Sequence, residues 1–346
     1  MRLYGVIRMK EFQGSRSKKG RYISISLMII FIIAGLAQLK SVKINISASD
    51  ERRKVFDCFL YNGESHMLIV RLWRMYPYVT KFILSVSNVT FSGEPKSISF
   101  EPFTKDIKKY MDKIHLDYFV PNDENMNKRK YISNDKPWKR EYAQRDSLID
   151  AIKKFDPKPN DLIFMSDIDE IPTVSGLKLV LDNPPSDLYI LKGTYYVISY
   201  HYWHESWNKF VVFNYSDSIT SFQNYRDFYD PSKYFQMGDN LVTHCTYCFP
   251  NLEMYAYKFK SFAHQEFNKY PFNNESYIFK RHYCRLLFHA NVVLKKVEPS
   301  PPIDLWVQND PRLRFISDPN FILDVTQTIY KESDLPTLCN NLWSFP

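Results

Sequence analysis

The segment DLIFMSDIDEIP (161–172) runs an unbroken apolar stretch straight into an acidic cluster. Apolar residues at successive positions, without alternation, predict a short strand buried on both faces. Asp156-Pro157 and Pro159-Asn160 punctuate the chain just before it. In extended backbone alternate side chains share a face, so Asp167 and Asp169 are expected on one side and Ile168 toward the core. Two adjacent carboxylates repel unless a cation lies between them, and Mg²⁺ or Mn²⁺ favours such oxygen ligands. Asp-x-Asp is also common in solvated loops. Here it follows a core strand, and the carboxyl ends of such strands are where open α/β sheets bind ligands. Glu170 is expected to support the pair, by orienting an aspartate or capping a helix that starts near Ser175.

Working outward, VFDCFLY (55–61) and KFILSVS (81–87) read as buried strands around a helix over Glu64 to Met75. IHLDYFV (114–120) reads as another strand, and the polar stretch 121–137 as a surface loop. A helix follows with the stripe Trp138, Tyr142, Ile149, Ile152 and Phe155. Strand and helix alternate in the manner of an α/β domain. Beyond Leu177 the composition turns aromatic, and DLYILKGTYYVISYHYWH (187–204) and KFVVFNY (209–215) predict added strands. Neither G-x-G-x-x-G nor G-x-x-x-x-G-K-[ST] occurs, which removes the Rossmann dinucleotide and P-loop readings.

The net charge of +8 is concentrated at the start: basic residues from Arg2 to Arg21 carry most of it. What remains on the folding part is nearly neutral and argues against a nucleic-acid partner. Tyr22 to Leu39 follows without a charge, at the short end of a membrane span. It is expected to be a signal anchor with residues 1–21 cytosolic; cleavage near Gly35-Leu36-Ala37 is the alternative. Residues 40–54 then form a lumenal stem. Asn45, Asn88, Asn214 and Asn274 head Asn-x-Ser/Thr acceptors for glycosylation. The five cysteines allow up to two disulfides with one thiol left over. Cys58 is a guessed partner for one of the downstream thiols. His244-Cys245-x-x-Cys248 with Cys284 also has zinc-ligand types, with disulfides the favoured fate in the lumen.

Three separated blocks resemble glycosyltransferase family 17, whose members add the bisecting N-acetylglucosamine to N-glycans. They are FDCFLYNGESHMLIVRL (56–72) with SNVTFSGEPK (87–96), WKREYAQR (138–145) with DLIFMSDIDEIP (161–172), and HCTYCF (244–249) with KSFAHQEFN (260–268). The resemblance covers residues 55 to about 290. It implies a GT-A-like α/β domain with a mixed central sheet over 55–346, with a donor and metal half (55–175) and an acceptor half (176–346). It further implies a UDP-GlcNAc donor, an N-glycan acceptor, inversion at the anomeric carbon, and a type II Golgi membrane protein. The chain departs from the pattern at Val86, at Ser65 and at Val242-Thr243, which puts the acceptor in doubt.

Within this frame Arg71 and Arg145 are the expected diphosphate cations, with an i,i+4 pair to Glu141 as the alternative for Arg145. Glu64 is expected near the nucleotide. An inverting transfer needs a base, and Glu266 and Asp239 are the candidates. His264 is a candidate third metal ligand or phosphate contact, against a purely structural role. Tyr195, Tyr196, Tyr200, Trp203 and Trp207 offer rings for sugar stacking, of which one or two are expected to serve. An inactive lectin-like descendant and a calcium-dependent adhesion protein are the readings from other classes.

Overall fold

Strand β1 (Val55–Tyr61) is buried along its whole length. It sits between β2 (Lys81–Val86) and β4 (Leu162–Asp167), parallel to both, and β3 (Ile114–Tyr118) extends the parallel set beyond β2. The computed structural model describes residues 53–122, 124, 126, 135–227, 235–297, 303–323 and 332–340. The basic tail, the expected anchor, residues 40–52 of the expected stem and Asn45 lie outside the described residues, and among the described residues no helix is long and apolar enough to cross a membrane.

The pleat decides what each face of β1 meets. Val55, Phe59 and Tyr61 join a cluster with helix α1 (Ser65–Met75). Phe56, Cys58 and Leu60 join another with Leu148, Ile149 and Ile152 of α2 (Lys136–Lys153). In α1 every residue but Trp73 is buried, which explains its apolar composition. The sheet therefore has a helix on each face.

Past Asp167 the chain makes a short β5 (Glu170–Pro172) and then α3 (Val174–Asp182), where Thr173 Oγ1 caps the Gly176 amide at 3.1 Å. Thr173 thus takes the capping role considered for Glu170. The aromatic strands β6 (Leu188–Val197) and β7 (Tyr202–Asn214) pair antiparallel, and β7 lies antiparallel on β4. Next come α4 (Phe222–Asp227), β8 (Phe235–Thr246), α5 (Leu252–Ser261), α6 (Glu275–Tyr283) and β9 (Lys295–Lys296). The sheet order is β3-β2-β1-β4-β7-β6-β8-β5, with β9 beside β7. One mixed sheet thus runs through both expected halves of the domain. Gly193 marks a bulge in β6, where a Cβ would stand 2.6 Å from the Val242 carbonyl oxygen.

Two disulfides, Cys245–Cys248 and Cys284–Cys339, leave Cys58 as a buried free thiol. Two bridges and one thiol match the expectation, but Cys58 is no partner, and pairing removes the thiols that a zinc site would use. Asn88 and Asn274 are exposed, whereas Asn214 is half-buried and its side-chain amide donates to the Pro185 carbonyl at 2.7 Å.

His66 lies within α1 between the ring edges of Phe249 and Phe315, and its Nε2 has no hydrogen-bond partner. Burial pushes its pKa from 6.5 down to about 3, so the folded chain holds this ring neutral. The unfolded chain takes up a proton below pH 6.5 that the folded one refuses, so this contribution to stability is lost as pH falls from there toward 3. Urea unfolding should show about 2 kcal/mol less stability for wild type at pH 5 than at 6.5 from this group alone. His66→Gln should lose less over the same interval; equal losses would show that His66 is protonated in the fold.

Candidate active site

The parallel order of β1 and β4 gives way to antiparallel pairing at β7, and a cleft of about 600 Å³ opens beside this change of direction. Its lining brings together the turn after β1 (Asn62, Glu64), the end of β4 (Asp167, Asp169) and the start of α2 (Trp138, Glu141, Arg145). From the other half come Tyr195, Trp207, Arg226, His244, Lys258 and His264. All three sequence blocks described above meet on this one cleft.

Asp167 ends β4 with its side chain toward α2. Its Oδ1 accepts from Arg145 Nη2 at 2.8 Å and its Oδ2 from Arg226 Nη2 at 2.6 Å. Burial would push this carboxyl up, but the Arg226 and Arg145 charges outweigh it and hold it well below the usual carboxylate range. Arg145 also bonds Glu141 at 3.0 Å and reaches Gln223 Oε1, so the i,i+4 pair is present in a residue that also lines the cleft.

Glu170 underlies this cluster, fully buried. Its Oε1 accepts from Arg226 at 2.6 Å and Trp207 Nε1 at 2.9 Å, and its Oε2 accepts from Arg226 at 2.8 Å and the Asp167 amide at 3.0 Å. It therefore orients Asp167 and Arg226 from beneath.

Because β4 ends at Asp167, the strict alternation expected through Asp169 breaks in the following turn. Ile168 is buried in the core as expected, while Asp169 turns toward His244, whose Nε2 lies 3.4 Å from its Oδ2. Burial raises the Asp169 carboxyl, and His244 together with the Lys258 charge offsets this and lowers it. The His244 ring is stacked on Tyr195 at 4.9 Å with Trp207 at 4.1 Å, and its buried Nδ1 has no hydrogen-bond partner.

No group of three His, Cys, Asp or Glu residues that could hold a metal gathers among the described residues. The expected trio of Asp167, Asp169 and His264 is therefore not assembled, and Asp167 has both oxygens taken by arginines. Asp169 Oδ2 and His244 Nε2, 3.4 Å apart, stand near the ~3 Å that separates cis ligands of a divalent ion. His264 instead bonds Glu266, Nδ1 to Oε1 at 2.6 Å.

Arg71, expected to face phosphate, is in the core with 0% exposure. It makes a bidentate pair with Asp57, Nε to Oδ2 at 2.8 Å and Nη2 to Oδ1 at 2.6 Å, and donates to the Asp167 and Glu170 carbonyls at 2.8 Å. Asp57 is on the β1 face that meets α1, which is why the cation is needed there. Glu64 lines the cleft, its Oε2 accepting from the Asn62 amide at 3.0 Å. Only the backbone of Asp239 is described, in β8, so its expected role lies outside the described side chains. Tyr195 and Trp207 line the cleft, whereas Tyr196 and Tyr200 are core residues.

Arg226 and Lys258 escaped the sequence reading, since neither sits in a recognisable pattern. Burial would lower the Lys258 ammonium, but the charges of Asp169, Glu64 and Asp167 keep its pKa raised. The departures from the family pattern lie elsewhere: Val86 and Val242 are core residues, Ser65 donates to the Glu101 carbonyl at 2.6 Å, and Thr243 Oγ1 donates to the Ile171 carbonyl at 3.1 Å.

Carboxylates and cations grouped at the carboxyl ends of parallel strands, with aromatic rings opposite, place the cleft where open α/β sheets bind their ligands. The sequence model of Glycosyltransferase family 17 matches residues 36–285, more than two thirds of the chain. The chain belongs to glycosyltransferase family 17 and is a glycosyltransferase, an enzyme using a nucleotide-sugar donor and a glycan acceptor. No curated protein matches it.

Both arginines hold a buried carboxylate, so donor binding rather than stability should tell their replacements apart. Arg71→Leu leaves Asp57 buried without its partner and should cost about 3–5 kcal/mol in urea unfolding. Arg226→Gln should weaken donor binding at least ~10-fold in calorimetric titration. If Arg71→Leu were as stable as wild type and lost donor binding instead, its core role would be wrong.

Proposed function

We propose that the enzyme transfers N-acetylglucosamine from UDP-GlcNAc to a mannose of an N-linked glycan, with inversion and with a Mn²⁺ or Mg²⁺ ion held by Asp169 and His244. The observation that carries this reading is the Asp169–His244 pair beside the Arg145 and Arg226 guanidiniums in one cleft. When bound, the ion supplies Lewis-acid neutralisation of the departing diphosphate. Arg145, Arg226 and Lys258 stabilise the same negative charge from the protein side, where low dielectric strengthens each contact. Asp167 and Glu170 hold Arg226 in place before the donor arrives, so little reorganisation is needed. Tyr195 and Trp207 present rings for the apolar face of a sugar while shielding His244 from water.

The proposed setting is the Golgi lumen, with residues 22–39 as a single-pass type II anchor. Two disulfides and the basic stretch before the apolar one support that address. Asn88 and Asn274, both exposed, are the proposed glycan acceptors of the described part.

The full chain, purified in detergent, should release UDP from UDP-GlcNAc in the presence of an N-glycan and Mn²⁺. EDTA should abolish the release, and Asp169→Asn and His244→Ala should each lower it by ~10²-fold or more. Release that persists in EDTA would remove the metal from the mechanism, and turnover of a different UDP-sugar alone would overturn the donor.

A further inference from the structure

We propose that His264 is the base that takes the proton from the acceptor hydroxyl, and that Glu266 positions it. This deepens the transferase reading above and rests on it.

His264 and Glu266 are two residues apart on the segment that follows α5, and His264 Nδ1 lies 2.6 Å from Glu266 Oε1. The two are not equivalent toward the cleft: His264 lines it and Glu266 does not. A carboxylate only accepts, so Nδ1 carries the hydrogen, and it is the neutral ring, with a lone pair on Nε2, that serves as base. Burial raises the Glu266 carboxyl, and the His264 bond, a backbone hydrogen bond and the His264 and Lys269 charges together lower it, in keeping with an ionised partner. A carboxylate behind an imidazole fixes tautomer and ring orientation and stabilises the imidazolium that forms.

The ring is held on several sides. Trp138 meets it edge-on at 4.5 Å, with Phe262 at 5.6 Å and Phe267 at 5.7 Å. Gln265 Nε2 ties the backbone between them down, donating to the Phe262 carbonyl at 2.8 Å. With 47% side-chain exposure, His264 is open enough to meet a hydroxyl and fixed enough to aim at one.

The other acids of the cleft are mostly engaged. Asp167 is shared by two arginines, Asp169 faces His244, Glu141 bonds Arg145 and Glu64 bonds the Asn62 amide. Glu205 and Asp227 are the competing carboxylates on the lining.

In the step itself the acceptor oxygen forms its bond to the anomeric carbon while the bond from that carbon to the phosphate oxygen breaks. The diphosphate leaves with the electron pair. The hydroxyl proton passes to His264 Nε2, the imidazolium hydrogen-bonds Glu266 through Nδ1, and the proton is later lost to water.

Transfer to an N-glycan and binding of UDP-GlcNAc with Mn²⁺ are measured side by side on the full chain. His264→Ala should lower kcat for transfer ~10²–10⁴-fold with donor affinity unchanged, and added imidazole should restore part of the rate. Glu266→Gln should lower kcat with the donor KM unchanged, and Glu266→Asp should recover most of it. His264→Ala with wild-type kcat, or loss of transfer in Asp227→Asn or Glu205→Gln in its place, would overturn the proposal. A wild-type chain that binds no UDP-GlcNAc would instead overturn the transferase reading on which it rests.

Discussion

Asp167 has each carboxylate oxygen on a different guanidinium, Arg145 on one side and Arg226 on the other. That shared carboxylate joins elements far apart in the chain: β4, the helix before it, and α4 from the second half. Burying four charged groups together is costly, and the cost is offset only where every lone pair and proton finds a partner. Glu170 meets this condition by accepting from Arg226, Trp207 and the Asp167 amide at once. Removing any member would strand a charge in low dielectric, so the acidic cluster is structural as well as part of the cleft lining.

A second buried pair works in parallel on the opposite face of the sheet. Arg71 answers Asp57 and also holds the Asp167 and Glu170 carbonyls, so it fixes the turn that aims Asp169 at His244. The cation expected at a diphosphate thus sits in the core, one layer beneath the cleft. His244 itself depends on β8, whose next residue donates its amide to the Asp169 carbonyl at 3.1 Å and closes a disulfide with Cys248. The geometry of one imidazole is set by a strand, a turn and a covalent bridge.

The parallel core was legible because its periodicity is local: β1, β2, β4 and α1 fall within a residue or two of the stretches that their apolar runs predict. Position after a core strand also picked out Asp167 and Asp169. What could not be read was which partner each acid would choose, because Arg226 lies 59 residues from Asp167 and is marked by no motif. Asp167 and Asp169 line one cleft with Ile168 in the core between them, yet β4 ends at Asp167 and each acid takes a different partner. His244 was visible only as part of a cysteine-rich string that invited a zinc reading, and its true neighbours arrive from β5, β6 and β7.

The central claim is that this cleft holds a nucleotide diphosphate with a divalent ion on Asp169 and His244. Anomalous scattering from crystals of the chain grown with Mn²⁺ and UDP tests it most directly. The account predicts one peak about 2.1 Å from an Asp169 oxygen and a nitrogen of His244, with the diphosphate against Arg145 and Arg226. A peak on Asp167 with Arg226 displaced, or UDP bound outside the cleft, would contradict it.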